Sequence, residues 1–398
     1  MRISTLNGYD NTILTLQTRQ TEMAEAQERL TSGKRVLKAS DDPAAAARAE
    51  RALASVMRSE TSQRAVDASR IAMTQAESAL GDATELLQQA REGLLAAGDA
   101  SYSDGERKAL GDKLRGIRDQ LFKVANRADG AGSHLFAGQG AAQPPFVDAP
   151  GGVQFRGVSG QTHTEATTGL PLAADGSATW LAAPTGNGVF ETVAGAGVTS
   201  AWIDAGQVSD PSALTGSSYS LQFTVSAGTT SYAVLKNGLP TAVTAAPFVS
   251  GQAITVDGMS VTVSGAPASG DAFQLLPSTA TLGVFATLDK AVADLSATGR
   301  TMAQRAQTTG DNLRNVDSVM GNLRSARSQA GEVLTRADNE TDRLGAQKLI
   351  QQTERSNAED LDMVQAISSF QNQQTGYDAA LKSYSMVQRL SLFQYING

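Results

Sequence analysis

Residues 30–48 read "LTSGKRVLKASDDPAAAAR", a stretch rich in groups capable of chemistry. Gly33-Lys34 resembles the end of a phosphate loop. That loop needs a second glycine five residues before Gly33 and a Ser or Thr after the lysine. The sequence has Glu28 and Arg35 at those positions, so the match fails. Asp41 and Asp42 offer two carboxylates, but no third ligand follows at a calcium-loop spacing. The two acids and Pro43 instead have the pattern of a helix start. A short acidic side chain accepts the first free N–H groups, and proline costs nothing where its missing N–H would be unpaired. Gly33 in turn suits a helix C-terminus. The stretch therefore reads as a joint between two helices.

The rest of the chain offers little for catalysis. His134 and His163 are its two histidines, and neither sits in an H-E-x-x-H pattern. No G-x-S-x-G turn occurs. With no cysteine there is no disulfide, thiolate metal site or thiol nucleophile. We expect no enzyme, no cofactor and no metal site. The arginines at 48, 51, 58, 64 and 70 interleave with acids at 50, 60, 67 and 77. That mixture argues for a solvated or intersubunit salt-bridged face rather than a nucleic-acid surface. A net charge of -7 agrees. No apolar run has the length of a signal peptide core or a membrane span, so we expect neither a cleaved signal nor membrane insertion.

What positions the joint is a set of helical seams. Leu6, Tyr9, Ile13, Leu16, Gln20, Met23, Gln27 and Leu30 alternate steps of three and four, a heptad pattern. Val66, Met73, Leu80, Leu87 and Leu94 repeat every seven residues, shadowed by Ala76, Ala83, Ala90 and Ala97. Leu110, Leu114, Ile117, Leu121, Val124 and Ala128 form a third seam. A fourth runs Val316, Met320, Leu323, Arg327, Ala330, Leu334, Ala337, Thr341 and Leu344, with Arg327 as a charged break whose stem can lie along the stripe. The last is Met363, Ile367, Phe370, Gln374, Tyr377, Leu381 and Tyr384. Such narrow stripes need partners, in a bundle or on other copies.

The middle differs. Ten of the 11 prolines lie in residues 144–277, with both tryptophans, and Arg156 and Lys236 are its only Lys or Arg residues. "SYSLQFTVS" and "TSYAVLK" alternate around Gly228, and "AITVDGMSVTVSG" is a hairpin signal around Asp257-Gly258. The expected fold is α+β: a long antiparallel helical coiled-coil bundle formed by both termini, with a central β-rich insert. The expected domains are 1–40 with 359–398 (inner), 41–143 with 281–358 (middle) and 144–280 (outer).

"LTSGKRVLKASDDPAAAARA", "GSHLFAGQ" (132–139) and the C-terminal "MVQAISSFQNQQTGYDAALKSYSMVQRLSLFQYING" resemble the motifs of bacterial flagellin-like axial proteins. The start "MRIST" and the end "LSLFQYING" are most similar to the hook-filament junction branch of that family. The resemblance implies a structural adaptor, exported by the flagellar type III apparatus without a cleaved signal and assembling as a ring between hook and filament, outside the cell. Implied partners are other copies of the chain, a second hook-associated junction protein, flagellin, and an export chaperone that masks the C-terminal region. The assembly and chaperone interface would then include Leu6, Ile13, Leu16, Met23, Asp41, Asp42, Pro43, Ile367, Phe370, Tyr377, Leu381, Tyr384, Leu392 and Phe393. A flagellin-type filament subunit and a secreted coiled-coil adhesin are the competing readings.

Overall fold

The computed structural model describes residues 3–130, 132–140, 143–164 and 169–396, and side chains from residue 10 to residue 386 within those ranges. The described residues form seven helices, five of which follow the seams (the first three and the last two). They are α1 (Ile3–Ser32), α2 (Pro43–Ala97), α3 (Asp104–Ala125), α4 (Gly176–Leu181), α5 (Val284–Ser296), α6 (Met302–Glu359) and α7 (Met363–Ile396). The chain divides into two compact units, Met1–Arg64 with Glu340–Gly398, and Ala65–Asn339.

In the first unit, α1 packs against α7. The pair is antiparallel. Gly33 O accepts from Leu361 N at 2.9 Å, while farther along Arg19 lies against Gly376. In the same unit α2 and α6 are tied by Glu60–Lys348 at 2.8 Å and by Gln63 to Thr341 at 3.1 Å.

In the second unit the seven-residue seam is the core. Val66, Met73, Leu80, Leu87 and Leu94 are all buried, as are their four shadowing alanines. Large residues facing alanine let helices approach closely. Leu114, Ile117 and Leu121 of α3 and Val316, Met320 and Leu323 of α6 fill the same core. Arg327 is the charged break in the α6 stripe. Its guanidinium lies over Gly81, where no side chain blocks it, and pairs with Glu77 at 2.6 Å. The pairs Glu77–Arg327 and Arg91–Asp317 make this part of α2 and α6 antiparallel as well.

The middle is β-rich. Its strands are β1 (Phe146–Ala149), β2 (Gly152–Phe155), β3 (Ala183–Pro184), β4 (Phe190–Ala194), β5 (Ala201–Ile203), β6 (Gln207–Val208), β7 (Tyr219–Ser226), β8 (Thr229–Lys236), β9 (Leu239–Pro240), β10 (Ala246–Pro247), β11 (Ala253–Val256), β12 (Met259–Gly265), β13 (Ala272–Pro277) and β14 (Ala280–Leu282). The expected hairpin around Asp257-Gly258 forms, with β11 paired to β12, and the alternating runs around Gly228 form a second one, with β7 paired to β8 along its length. Their turns, Ala227-Gly228 and Asp257-Gly258, have positive φ throughout, the geometry that matches strand twist. One sheet runs β10-β8-β7-β13-β4 with β9 on β8, and a second runs β11-β12-β5 with β6 on β12.

The hydrophobic cores cut the expected insert in two. Alternate residues of both sheets, from Phe190 through Phe223 to Leu275, fill a core of their own. Phe146, Trp180 and Ala183 instead join the helical core. Trp180 stacks on Phe285 of α5, with ring centroids 5.8 Å apart. The stretch from β1 to β3 is thus part of the helical packing, while β4 to β13 is a separate body. That body meets α6 through hydrogen bonds, from Ile203 N to Gln307 and from Arg314 to Thr192.

Candidate functional site

The joint reading of residues 33–43 holds in detail. α1 stops at Ser32, Gly33 takes φ +68°, and α2 begins at Pro43. Asp42 Oδ1 accepts from Ala45 N at 2.9 Å, which is the expected cap. Asp41 does something else. Its Oδ2 accepts from Leu37 N at 3.0 Å and Lys38 N at 2.9 Å, closing the loop on itself. These bonds favour the ionised forms. The Lys38 and Leu37 amides hold the Asp41 carboxyl below its ordinary range, and the Ala45 amide followed by Arg35 does the same for Asp42.

The joint pairs with a second one. Between α6 and α7 the chain turns at residues 360–362, and Asp362 Oδ1 caps α7 by accepting from Val364 N and Gln365 N. Lys34 and Asp360 form an antiparallel bridge. Arg35 N donates to Glu359 O at 2.7 Å, and Lys34 Nζ lies 3.3 Å from Glu359 Oε2. Arg35 reaches both sides, donating to Ala358 O at 2.9 Å and to Asp42 Oδ2 at 3.2 Å. Val36 is buried there. Two helix-to-helix turns, far apart in sequence, are therefore one clasp. Glu359 and Asp362 were not singled out from the sequence, and Lys34 and Arg35 entered only through a phosphate-loop match that fails. Asp362 ahead of the apolar "MVQAI" run was a readable cap signal; the Arg35 pairing had none, because its acceptor is a backbone carbonyl.

Along α1 and α7 the seam residues are only partly covered. Leu16, Met23, Phe370, Tyr377 and Tyr384 are half-buried, whereas Ile13, Ile367 and Leu381 remain 39–46% exposed. Val364 is 83% exposed. Asp41 and Pro43 are exposed and Asp42 is half-buried. The side chains of Leu6, Leu392 and Phe393 lie outside the described residues. Two helices cannot bury stripes of this width between themselves. Among the described residues, no group of three or more His, Asp or Glu is placed to hold a metal, and no helix is long and apolar enough to cross a membrane.

Residues 3–141 match the bacterial flagellin N-terminal helical region, and residues 313–396 the bacterial flagellin C-terminal helical region. Residues 195–277, which fall within the separate β body, match the D2-like domain of flagellar hook-associated protein 1. The chain is 25% identical over 399 residues to flagellar hook-associated protein 3 of Escherichia coli K12, covering 99% of both. It is 38% identical over 156 residues to flagellar hook-associated protein 3 of Salmonella typhimurium, a match spanning 38% of this chain and about half (48%) of that relative. Flagellar hook-associated protein 3 of Legionella pneumophila superposes with a TM-score of 0.70 at 25% identity, over 76% of this chain and 97% of that one.

Proposed function

The chain belongs to the flagellin-like family of bacterial flagellar proteins, and from that we propose that it is a structural adaptor of the hook-filament junction. The observation that carries this is the end-to-end similarity to a flagellar hook-associated protein 3, covering 99% of both chains. The partly exposed seams of α1 and α7 support it physically. Each apolar side chain that goes from exposed to buried contributes roughly 1.5–3 kcal/mol, so copies gain stability by covering one another. The proposed assembly is a ring of copies placed between a second hook-associated protein and flagellin. The interface uses Ile13, Leu16, Met23, Ile367, Phe370, Tyr377, Leu381 and Tyr384, together with Leu6, Leu392 and Phe393 and the clasp segment Asp41-Asp42-Pro43. Before assembly the C-terminal region is covered by an export chaperone, and the chain leaves through the flagellar export apparatus without a cleaved signal. The division into 1–40 with 359–398, 41–143 with 281–358, and 144–280 is part of this reading, with the third body's own core beginning at Phe190. No catalytic role is assigned.

Deleting the gene tests it. The expected strain keeps its hooks, releases flagellin into the medium and does not swim, and the full chain restores swimming. Normal swimming of the deletion strain refutes the proposal and favours a secreted adhesin. A hook bearing no filament, with no flagellin in the medium, points to a filament subunit instead.

A further inference from the structure

Several cations and acids in the helices of this protein pair close by. Arg70 pairs with Asp67, Arg115 with Asp112, Arg314 with Asp311, Arg343 with Glu340, Lys290 with Asp294 and Arg355 with Glu359, all three or four residues apart. Two short runs of one sign make no such pair. On α2, Arg48, Arg51 and Arg58 have no acid three or four residues away in either direction, and Arg48 and Arg51 are themselves three apart. On α1, Glu22, Glu25 and Glu28 repeat every three residues. Glu25 has Arg29 four residues on and Glu22 has Arg19 three residues back, yet neither forms an ion pair, and Arg19 lies against Gly376 instead.

All six side chains are exposed, and none makes an ion pair among the described residues. Arg51 donates only to Ala47 O, within its own helix. Arg48 reaches Asp42 only through space. Neighbouring Arg58, by contrast with Glu60 and its Lys348, has no counter-charge. Like charges three or four residues apart destabilise a helix. The two ladders have opposite signs and separate places on one chain. That is what a head-to-tail contact between identical copies requires, since such a contact joins two different patches and closes into a ring when the rotation permits.

We propose that the acidic ladder Glu22–Glu25–Glu28 of one copy docks on the basic ladder Arg48–Arg51–Arg58 of a second copy. This rests on the junction reading and names which faces meet. Exposed ion pairs contribute little affinity each, and the apolar seams supply most of it. The ladders set partner choice and register, because a misplaced copy would face like charge with like.

The test is charge reversal in the deletion strain. Wild-type chain should restore swimming; if it does not, the junction reading itself fails. Given that it does, Glu22, Glu25 and Glu28 all changed to Lys, or Arg48, Arg51 and Arg58 all changed to Glu, should each lower swimming and junction-bound protein by about tenfold or more. The six-fold combination should recover most of the loss. A combination no better than either half, or either half at wild-type level, overturns the proposal. Circular dichroism of each purified variant keeps misfolding from being read as lost docking. Because the chain has no cysteine, Glu25→Cys with Arg51→Cys gives a second measurement. Isolated flagella carrying it should yield disulfide-linked multimers on oxidation, and their absence also overturns the proposal.

Discussion

The Arg35 guanidinium donates to the backbone carbonyl of Ala358, 323 residues away in sequence, at 2.9 Å. With the Arg35 amide bonded to Glu359 O, one residue holds the end of α6 against the turn that begins α2. The carbonyls at a helix C-terminus lack intrahelical partners and carry the negative end of the helix dipole, so a cation there satisfies both needs.

Arg35→Ala should free this clasp without unfolding the helices. Helical circular dichroism should stay near wild type, while amide exchange at Arg35, Val36 and Leu361 speeds up by about tenfold, the equivalent of one lost charged hydrogen bond of roughly 1.5 kcal/mol. Arg35→Lys should recover little, because a single ammonium cannot span Ala358 and Asp42 as the planar guanidinium does. Unchanged exchange in both variants would mean that the backbone bonds alone hold the joint.

The clasp should also depend on acid in one direction. The Asp41 and Asp42 carboxyls are held below their ordinary range by amide hydrogen bonds. A depressed carboxyl stabilises the fold above its unfolded value, about 3.9, and that contribution is lost as pH falls through the folded value. Protection of the Leu37, Lys38 and Ala45 amides should therefore hold from about pH 8 to about pH 4 and be lost only at lower pH, as the depressed carboxyls become protonated. Asp42→Asn keeps a capping oxygen and should retain the Ala45 bond while losing its share of that acid dependence. Protection that instead improves on acidification contradicts the assignment.

Seam positions should separate stability from assembly. Leu87 is fully buried, so Leu87→Ala should cost about 2–5 kcal/mol of unfolding free energy. Ile367 is 46% exposed, so Ile367→Ala should change monomer stability by well under half of that yet impair junction assembly. Denaturant melts and the swimming assay, run on both, check this. A large loss of monomer stability in Ile367→Ala would place it in the monomer's own core.

Excising the separate β body should leave the helices intact. Removing about residues 190–277, whose core is independent, should preserve a cooperative helical melt. Extending the cut back to residue 147 removes Phe155 and Trp180 from the helical core and should lower stability by at least about 3–5 kcal/mol. Equal melts for the two deletions would show that the aromatic cluster around Phe285 contributes nothing.

The seams, the joint and the two hairpins were legible because local physics fixes each of them. A seven-residue repeat from Val66 to Leu94 can bury itself in one way only as a helix, a proline after two aspartates opens a helix, and a strand pair around Asp-Gly closes as a hairpin. Where long-range packing decides, the letters were silent. Composition alone placed Trp180 in the β insert, but its ring stacks on Phe285, more than a hundred residues on, so tertiary packing moved the boundary of the separate body from residue 144 to about residue 190. Arg327 is a charged break legible in its stripe, but its ion pair with Glu77 over Gly81 is something only the facing helix provides. The union of the two joints through Arg35 was equally invisible. Its acceptors are backbone oxygens, identical at every residue, and only the fold selects which of them a guanidinium will meet.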